Sequence, residues 1–185
     1  MKNSKIILIL LLIICYSCNA QSGLTVITEK ENNFPKSWEG LYSGQLEIFD
    51  KDSVKMQIAM SLKVKMVDDS SYLWELIYET EQKDVRPYEL QIVNKQEGKY
   101  QIDEKNGIIL ACNYFKNCLI SRFEVGTSLL DIVYSKIGEG IHFQVIAGKT
   151  ESEELEIEVE NVPPIHIFQV GTYQKAILKK KTLSK

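Results

Sequence analysis

Two thiols, two imidazoles and two guanidiniums are the side chains best suited to chemistry in this sequence, beyond its leader-like start. Cys112 and Cys118 flank Asn113 to Asn117. If all five of those residues form the connecting loop, the thiols face each other and could form a disulfide. If Lys116-Asn117 alone is the turn, Cys112 pairs with Ser121 and no bond forms. Neither a Cys-x-x-Cys spacing nor a histidine cluster is present, so zinc is not indicated. His142 and His166 sit in separate apolar stretches. Alternation places His142 opposite in sense to Ile141, Phe143 and Val145, toward solvent. A Cys112–His142 nucleophile pair would require triad geometry that spacing does not supply. Nucleophile elbows, phosphate loops, zincin helices and dinucleotide fingerprints are absent from the sequence, which lowers the weight of an enzymatic reading.

Arg86 and Arg122 are the only arginines among 22 basic residues. A planar fork suits grip on a carboxylate or phosphate, whereas lysine suits solvent. Arg122, in Ser121-Arg122-Phe123-Glu124, could face an interior and hold an anionic end of a ligand. Alternatively it faces outward and pairs with Glu124 or a cross-strand acid. Glu154, Glu156, Glu158 and Glu160 alternate with Leu155, Ile157 and Val159. Carboxylates in this number could recruit a divalent cation. No turn converges them, and the pattern is read as an acidic strand edge or a hairpin arm in solvent. No metal and no cofactor is expected.

The elements that position these groups are strands. Val54, Met56, Ile58, Met60, Leu62, Val64 and Met66 alternate with mostly polar residues. That is a strand with one dry and one wet face, roughly 40 Å long, which must coil or bend to keep its dry face on one core. Trp38, Gly40, Tyr42, Gly44, Leu46 and Ile48 form one face of the strand before it. Glycine inside a strand implies that something packs close against the backbone. Further strands follow at 72–79, 86–93, 100–102, 108–115, 119–124, 128–136, 141–149 and 165–178, separated by Asp, Asn, Gly, Ser and Pro turns. Asn106-Gly107 reads as a type I′ hairpin turn. About nine or ten strands and no amphipathic helix predict an all-β chain, a single antiparallel up-and-down β-barrel, with a two-sheet β-sandwich as the alternative.

Gly40-Leu41-Tyr42, at the head of this series, resembles the Gly-x-Trp opening of calycin barrels, the group of lipocalins and fatty-acid-binding proteins, with Tyr42 in place of the Trp. The resemblance implies a barrel that holds a small hydrophobic or amphiphilic molecule without catalysis. Trp38, Tyr42, Met56, Met60, Trp74 and Tyr78 would line its interior, and Arg122 would hold an acidic head, as interior arginines do in fatty-acid-binding proteins. A filled barrel serving as an interaction or cell-envelope structural module is the second reading. An enzyme of unrecognised type using the cavity is the third. Arg86-Pro87-Tyr88 also resembles the Pro-Tyr-Arg stretch of calycin-like bilin lyases, with Arg preceding Pro here, and no functional residue is carried over from it.

Lys2 and Lys5 precede nine unbroken apolar residues, Ile6 to Ile14. This pattern predicts an export signal over residues 1–20. Cleavage after Cys18-Asn19-Ala20 and lipidation at Cys18, after Ser17, are the competing endings. The apolar segment closing on Ser-Cys-Asn-Ala-Gln resembles exported proteins of the Bacteroidetes. Residues 21–33 read as a flexible spacer and 34–180 as the barrel domain. The formal charge of −3 becomes about −5 when residues 1–17 are removed, which argues against a nucleic-acid partner. The chain is expected in the cell envelope as a lipoprotein, or periplasmic or secreted, with membrane contact only through the lipid anchor.

Overall fold

In the computed structural model, residues 33–155 and 163–182 are described. They belong to a compact unit, Asn32–Lys185. The expected export signal with Cys18, the expected spacer up to residue 32 and the acidic residues Glu156, Glu158 and Glu160 lie outside the described residues.

A short 3-10 turn, Lys36–Trp38, precedes ten strands: β1 (Gly40–Asp50), β2 (Ser53–Met66), β3 (Ser71–Glu79), β4 (Asp84–Asn94), β5 (Lys99–Asp103), β6 (Ile109–Phe115), β7 (Cys118–Val125), β8 (Ser128–Ile137), β9 (Gly140–Leu155) and β10 (Ile165–Lys180). Each pairs antiparallel with the next, and β1 also pairs with β10, so the sheet closes into an up-and-down barrel rather than a sandwich. Closure removes the free edges that an open ten-strand sheet would expose. At the β1–β10 seam a Cβ on Gly44 would lie 2.2 Å from the Ile177 carbonyl oxygen, so this close approach requires glycine.

Alternation decides what each strand puts inside. Tyr42, Leu46, Met60, Leu62, Val64, Trp74, Leu76 and Leu90 are buried. The outer face at mid-height carries Glu47, Lys63, Glu75, Gln91, Gln101, Arg122, Asp131 and Lys175, with Lys63 paired to Glu75 and Lys175 to Glu47. A barrel facing lipid would instead present an apolar band there.

Two local features depart from the sequence expectations, and a third decides between two of them. Trp38 stands in the 3-10 turn and not on the first strand, because Pro35 takes a helical conformation and its carbonyl accepts the Trp38 N–H at 2.9 Å. The Asn106-Gly107 turn is wider than a two-residue hairpin: the Glu104 N–H donates to the Ile108 carbonyl, and the positive φ angles fall at Lys105 and Gly107. Consecutive positive φ angles occur at Lys116 and Asn117, which join β6 and β7 as a two-residue turn. That register puts Cys112 inside and Cys118 outside, where its Sγ lies 3.3 Å from Ser135 Oγ. The two thiols are free and on opposite faces, so of the two turn readings the one at Lys116-Asn117 holds and the possible Cys112–Cys118 disulfide is not formed.

The interior is packed unevenly along the barrel. At one end Phe34 and Trp38 enter as a plug. Phe34 stacks on Tyr114 with ring centres 4.2 Å apart and meets Tyr100 edge-on at 5.0 Å; Trp38 lies 6.0 Å from Trp74. The Tyr42 hydroxyl donates to the Trp38 carbonyl (2.9 Å) and accepts from Lys136 Nζ (2.9 Å), tying the plug to β1 and β8. Burial pushes the Tyr42 phenol up to about 12. At the other end β9 and β10 run on past the barrel as a paired arm. Irregularities at Phe168, Val170 and Thr172 mark its root, and a Cβ on Gly148 would meet the Gln169 carbonyl at 2.2 Å.

Candidate functional site

The half of the barrel opposite the plug holds a cavity of about 440 Å³, within the usual range of small-molecule sites. Its wall is aliphatic: Leu46, Ile48 and Ile58 from β1 and β2, Leu76 from β3, Ile102 and Leu110 from β5 and β6, Leu119 from β7 and Ile132 from β8. Tyr134 and Phe143, 5.0 Å apart, line it next to the plugged half, and Trp74 meets Tyr134 edge-on at 5.1 Å. Alternation carries the inward face of a strand from the filled half into the cavity. Leu76 thus follows Trp74, and Ile102 follows Tyr100.

Polar groups gather where β3 and β4 reach the mouth. The register pairs Tyr78 with Asp84 and Leu76 with Arg86, which aims both charged side chains inward. The Arg86 guanidinium donates from Nε (2.9 Å) and Nη2 (2.7 Å) to Asp84 Oδ2. Its Cζ stands 4.9 Å from the centre of the Tyr78 ring. The bond to Asp84 raises the Arg86 pKa further above its ordinary value. Burial pushes Tyr78 up to about 12. Burial first, then Glu104, raises Tyr88. Thr80, Glu104 and Gln174 complete the polar rim. The Arg86 side chain is 47% exposed and Asp84 41%, so the cluster lies at the boundary between cavity and water.

The wall is weakest between β6 and β7. Their ladder holds only Asn113 to Ile120, Tyr114 to Leu119 and Phe115 to Cys118. Toward the mouth the Ser121 hydroxyl bridges instead, donating to the Ala111 carbonyl at 2.8 Å.

The residues expected to line the interior divide between the two halves. Tyr78 lines the cavity. Trp38, Tyr42, Met60 and Trp74 are fully buried in the packed part of the barrel. Met56, though in register with inward Ile48, stands at the mouth end and is 51% exposed. Arg122 points outward, 70% exposed, and holds Asp131 through Nε (2.5 Å) and Nη2 (2.9 Å); its expected role at an interior head group is corrected by this placement. On β7 the inward residues are Leu119, Ser121 and Phe123, and a two-residue turn after β6 leaves no other phase.

Arg86, Asp84, Tyr88 and Glu104 are site residues that the sequence reading did not assign. A signal for Arg86 existed, since it keeps the parity of Tyr88, Leu90 and Ile92. Cys112 also lines the cavity, and burial raises its thiol to about 11, so it is protonated at neutral pH. His142 lies on the outer face, across from Ser135 and Ile177, and His166 lies on the β9–β10 arm near Ser152. Neither reaches the cavity. Among the described residues no group of three or more His, Cys, Asp or Glu side chains is placed to hold a metal ion.

No family model matches the chain, and no curated protein matches it. The calycin resemblance therefore rests on Gly40-Leu41-Tyr42 and on the closed antiparallel barrel itself.

Proposed function

We propose that this protein is a carrier or receptor for a small apolar or amphiphilic molecule, held in the open half of the barrel with its polar end at the Arg86 cluster. The carrying observation is the asymmetry of the interior. One half is packed solid by aromatic side chains, while the other leaves about 440 Å³ walled by aliphatic groups. An apolar void costs stability, and its persistence beside a closely packed plug fits a space kept for a guest. Lys2, Lys5 and the apolar run Ile6 to Ile14 support export, with lipidation at Cys18 as the anchoring route. Substituting Cys18 with Ala and following incorporation of labelled fatty acid tests the anchor.

The binding test uses N-phenyl-1-naphthylamine, an uncharged dye that brightens in apolar surroundings. Saturable binding with one dye per chain is expected. Leu110→Trp should fill the cavity and abolish binding while the protein still melts cooperatively. Absence of dye binding to the folded protein, or binding unaffected by Leu110→Trp, would refute the carrier reading and favour an interaction module built on a solid barrel.

A further inference from the structure

The polar rim also restricts the chemical class of the guest. Three charged side chains line the cavity: Asp84, Arg86 and Glu104. The single cation is already engaged, with Nε and Nη2 both on Asp84 Oδ2. An anionic head would therefore approach a rim in which Asp84 neutralises the guanidinium and the Glu104 carboxylate leaves a net negative charge. A cationic head would find Asp84 already held by the guanidinium, which leaves it Glu104 alone, a carboxylate that also accepts from Asn106. What the rim offers is a mixture. A guanidinium has five N–H donors, and Asp84 takes two of them. The Tyr78 and Tyr88 hydroxyls and the Gln174 amide can donate or accept, and Asp84 Oδ1 and the Glu104 carboxylate can accept. Glu104 Oε2 takes a hydrogen bond from Asn106 Nδ2 at 3.2 Å, which holds this carboxylate at the edge of the mouth.

Resting on the carrier reading above, we propose that the guest's polar end is uncharged and both donates and accepts hydrogen bonds, as a long-chain alcohol, monoester of glycerol or primary amide does. It docks between Arg86, Tyr88 and Glu104 with its chain against Leu76, Ile102 and Ile132. Selection against a carboxylate comes from Asp84, which occupies the arginine in the position that a ligand carboxylate would take. The ion pair thus acts as a specificity filter built into the start of β4.

The test is competition against bound N-phenyl-1-naphthylamine with dodecanol, dodecanoate and dodecylamine, each below the concentration at which it aggregates, at pH 7.5. Dodecanol is expected to displace the dye about twofold to fivefold more tightly than either charged chain, the scale of one partly exposed ion pair. Asp84→Asn should then bring dodecanoate level with dodecanol or ahead of it, because it frees both guanidinium donors and removes a like charge. Glu104→Gln, which leaves the Arg86 pair intact, should shift the same ratio in the same direction by less, and serves if Asp84→Asn fails to fold. Dodecanoate or dodecylamine binding more tightly than dodecanol in the unsubstituted protein would overturn the filter. So would a ratio that neither substitution moves, or bound dye that none of the three chains displaces. A protein that does not bind the dye at all would refute the carrier reading itself, which keeps the two failures apart.

Discussion

Replacing Trp38 with Ala tests the division of the barrel into a packed half and an open half. Trp38 is 1% exposed and lies among Phe34 (4.9 Å between ring centres), Trp74 (6.0 Å) and Tyr114 (6.3 Å). A buried tryptophan removes about 150–250 Å² from water. At about 25 cal/mol per Å² this corresponds to about 4–6 kcal/mol, while measured Trp-to-Ala costs run at about 3–5 kcal/mol. The bond from Tyr42 goes to the Trp38 carbonyl and survives the substitution. A loss of about 4 kcal/mol is therefore expected. In a chain of this size that lowers the melting temperature by about 8–16 °C. Urea titration followed by far-ultraviolet circular dichroism measures the loss, and the slope with denaturant should not change. Trp38 does not line the cavity, so the variant should bind N-phenyl-1-naphthylamine within about a factor of two of the unsubstituted protein, assayed well below its melting point. A loss below about 1 kcal/mol would show that the plug is not packed as described. Dye binding abolished in a folded variant would show that the plug and the cavity are one site.

Gly44→Ala should destabilise by about 3 kcal/mol or more, because the new methyl meets the Ile177 carbonyl at 2.2 Å in the seam that closes the barrel; thermal melting measures it. Arg122→Ala breaks an exposed ion pair with Asp131 and should leave the urea midpoint nearly unchanged, with dye binding unchanged. A thiol reagent on the native protein, followed by peptide mapping, should label Cys118 well before Cys112, which is buried and raised to about 11. Asp68, Glu89 and Asp103 have lowered pKa values, chiefly through hydrogen bonds from the Ser70 backbone, the Gln91 side chain and the Lys105 backbone respectively. Their contribution is present above the unfolded values, near about 4, and is lost as pH falls through the lower folded values. Melting temperature should thus drop as pH goes below about 4, with a shallower drop in Asp68→Asn, and an identical profile in that variant would contradict the assignment.

Strand number, antiparallel order and the inward face of most strands were legible in the sequence, because strand periodicity is strictly two and the turns carry recognisable residues. The alternation from Val54 to Met66 already separates the wet from the dry side of β2, and Gly44 already signals a close backbone approach. Where both faces of a strand are apolar, parity loses its meaning. Ile120 and Arg122 alternate on β7 with Leu119, Ser121 and Phe123, and only the two-residue turn at Lys116-Asn117 decides that Arg122 points out and Cys118 parts from Cys112. Depth along the barrel was equally hidden. Trp74 and Tyr78 share one face of β3, yet one is sealed in the packed half and the other lines a cavity. The difference arises from what other strands and the 3-10 turn deliver at the same height. The amino-acid sequence by itself determined which side chains face inward on the strands that have one polar face. Only the tertiary structure decided which of them touch each other and where they leave room, because filling depends on side chains far apart in the chain meeting at one level of the closed sheet.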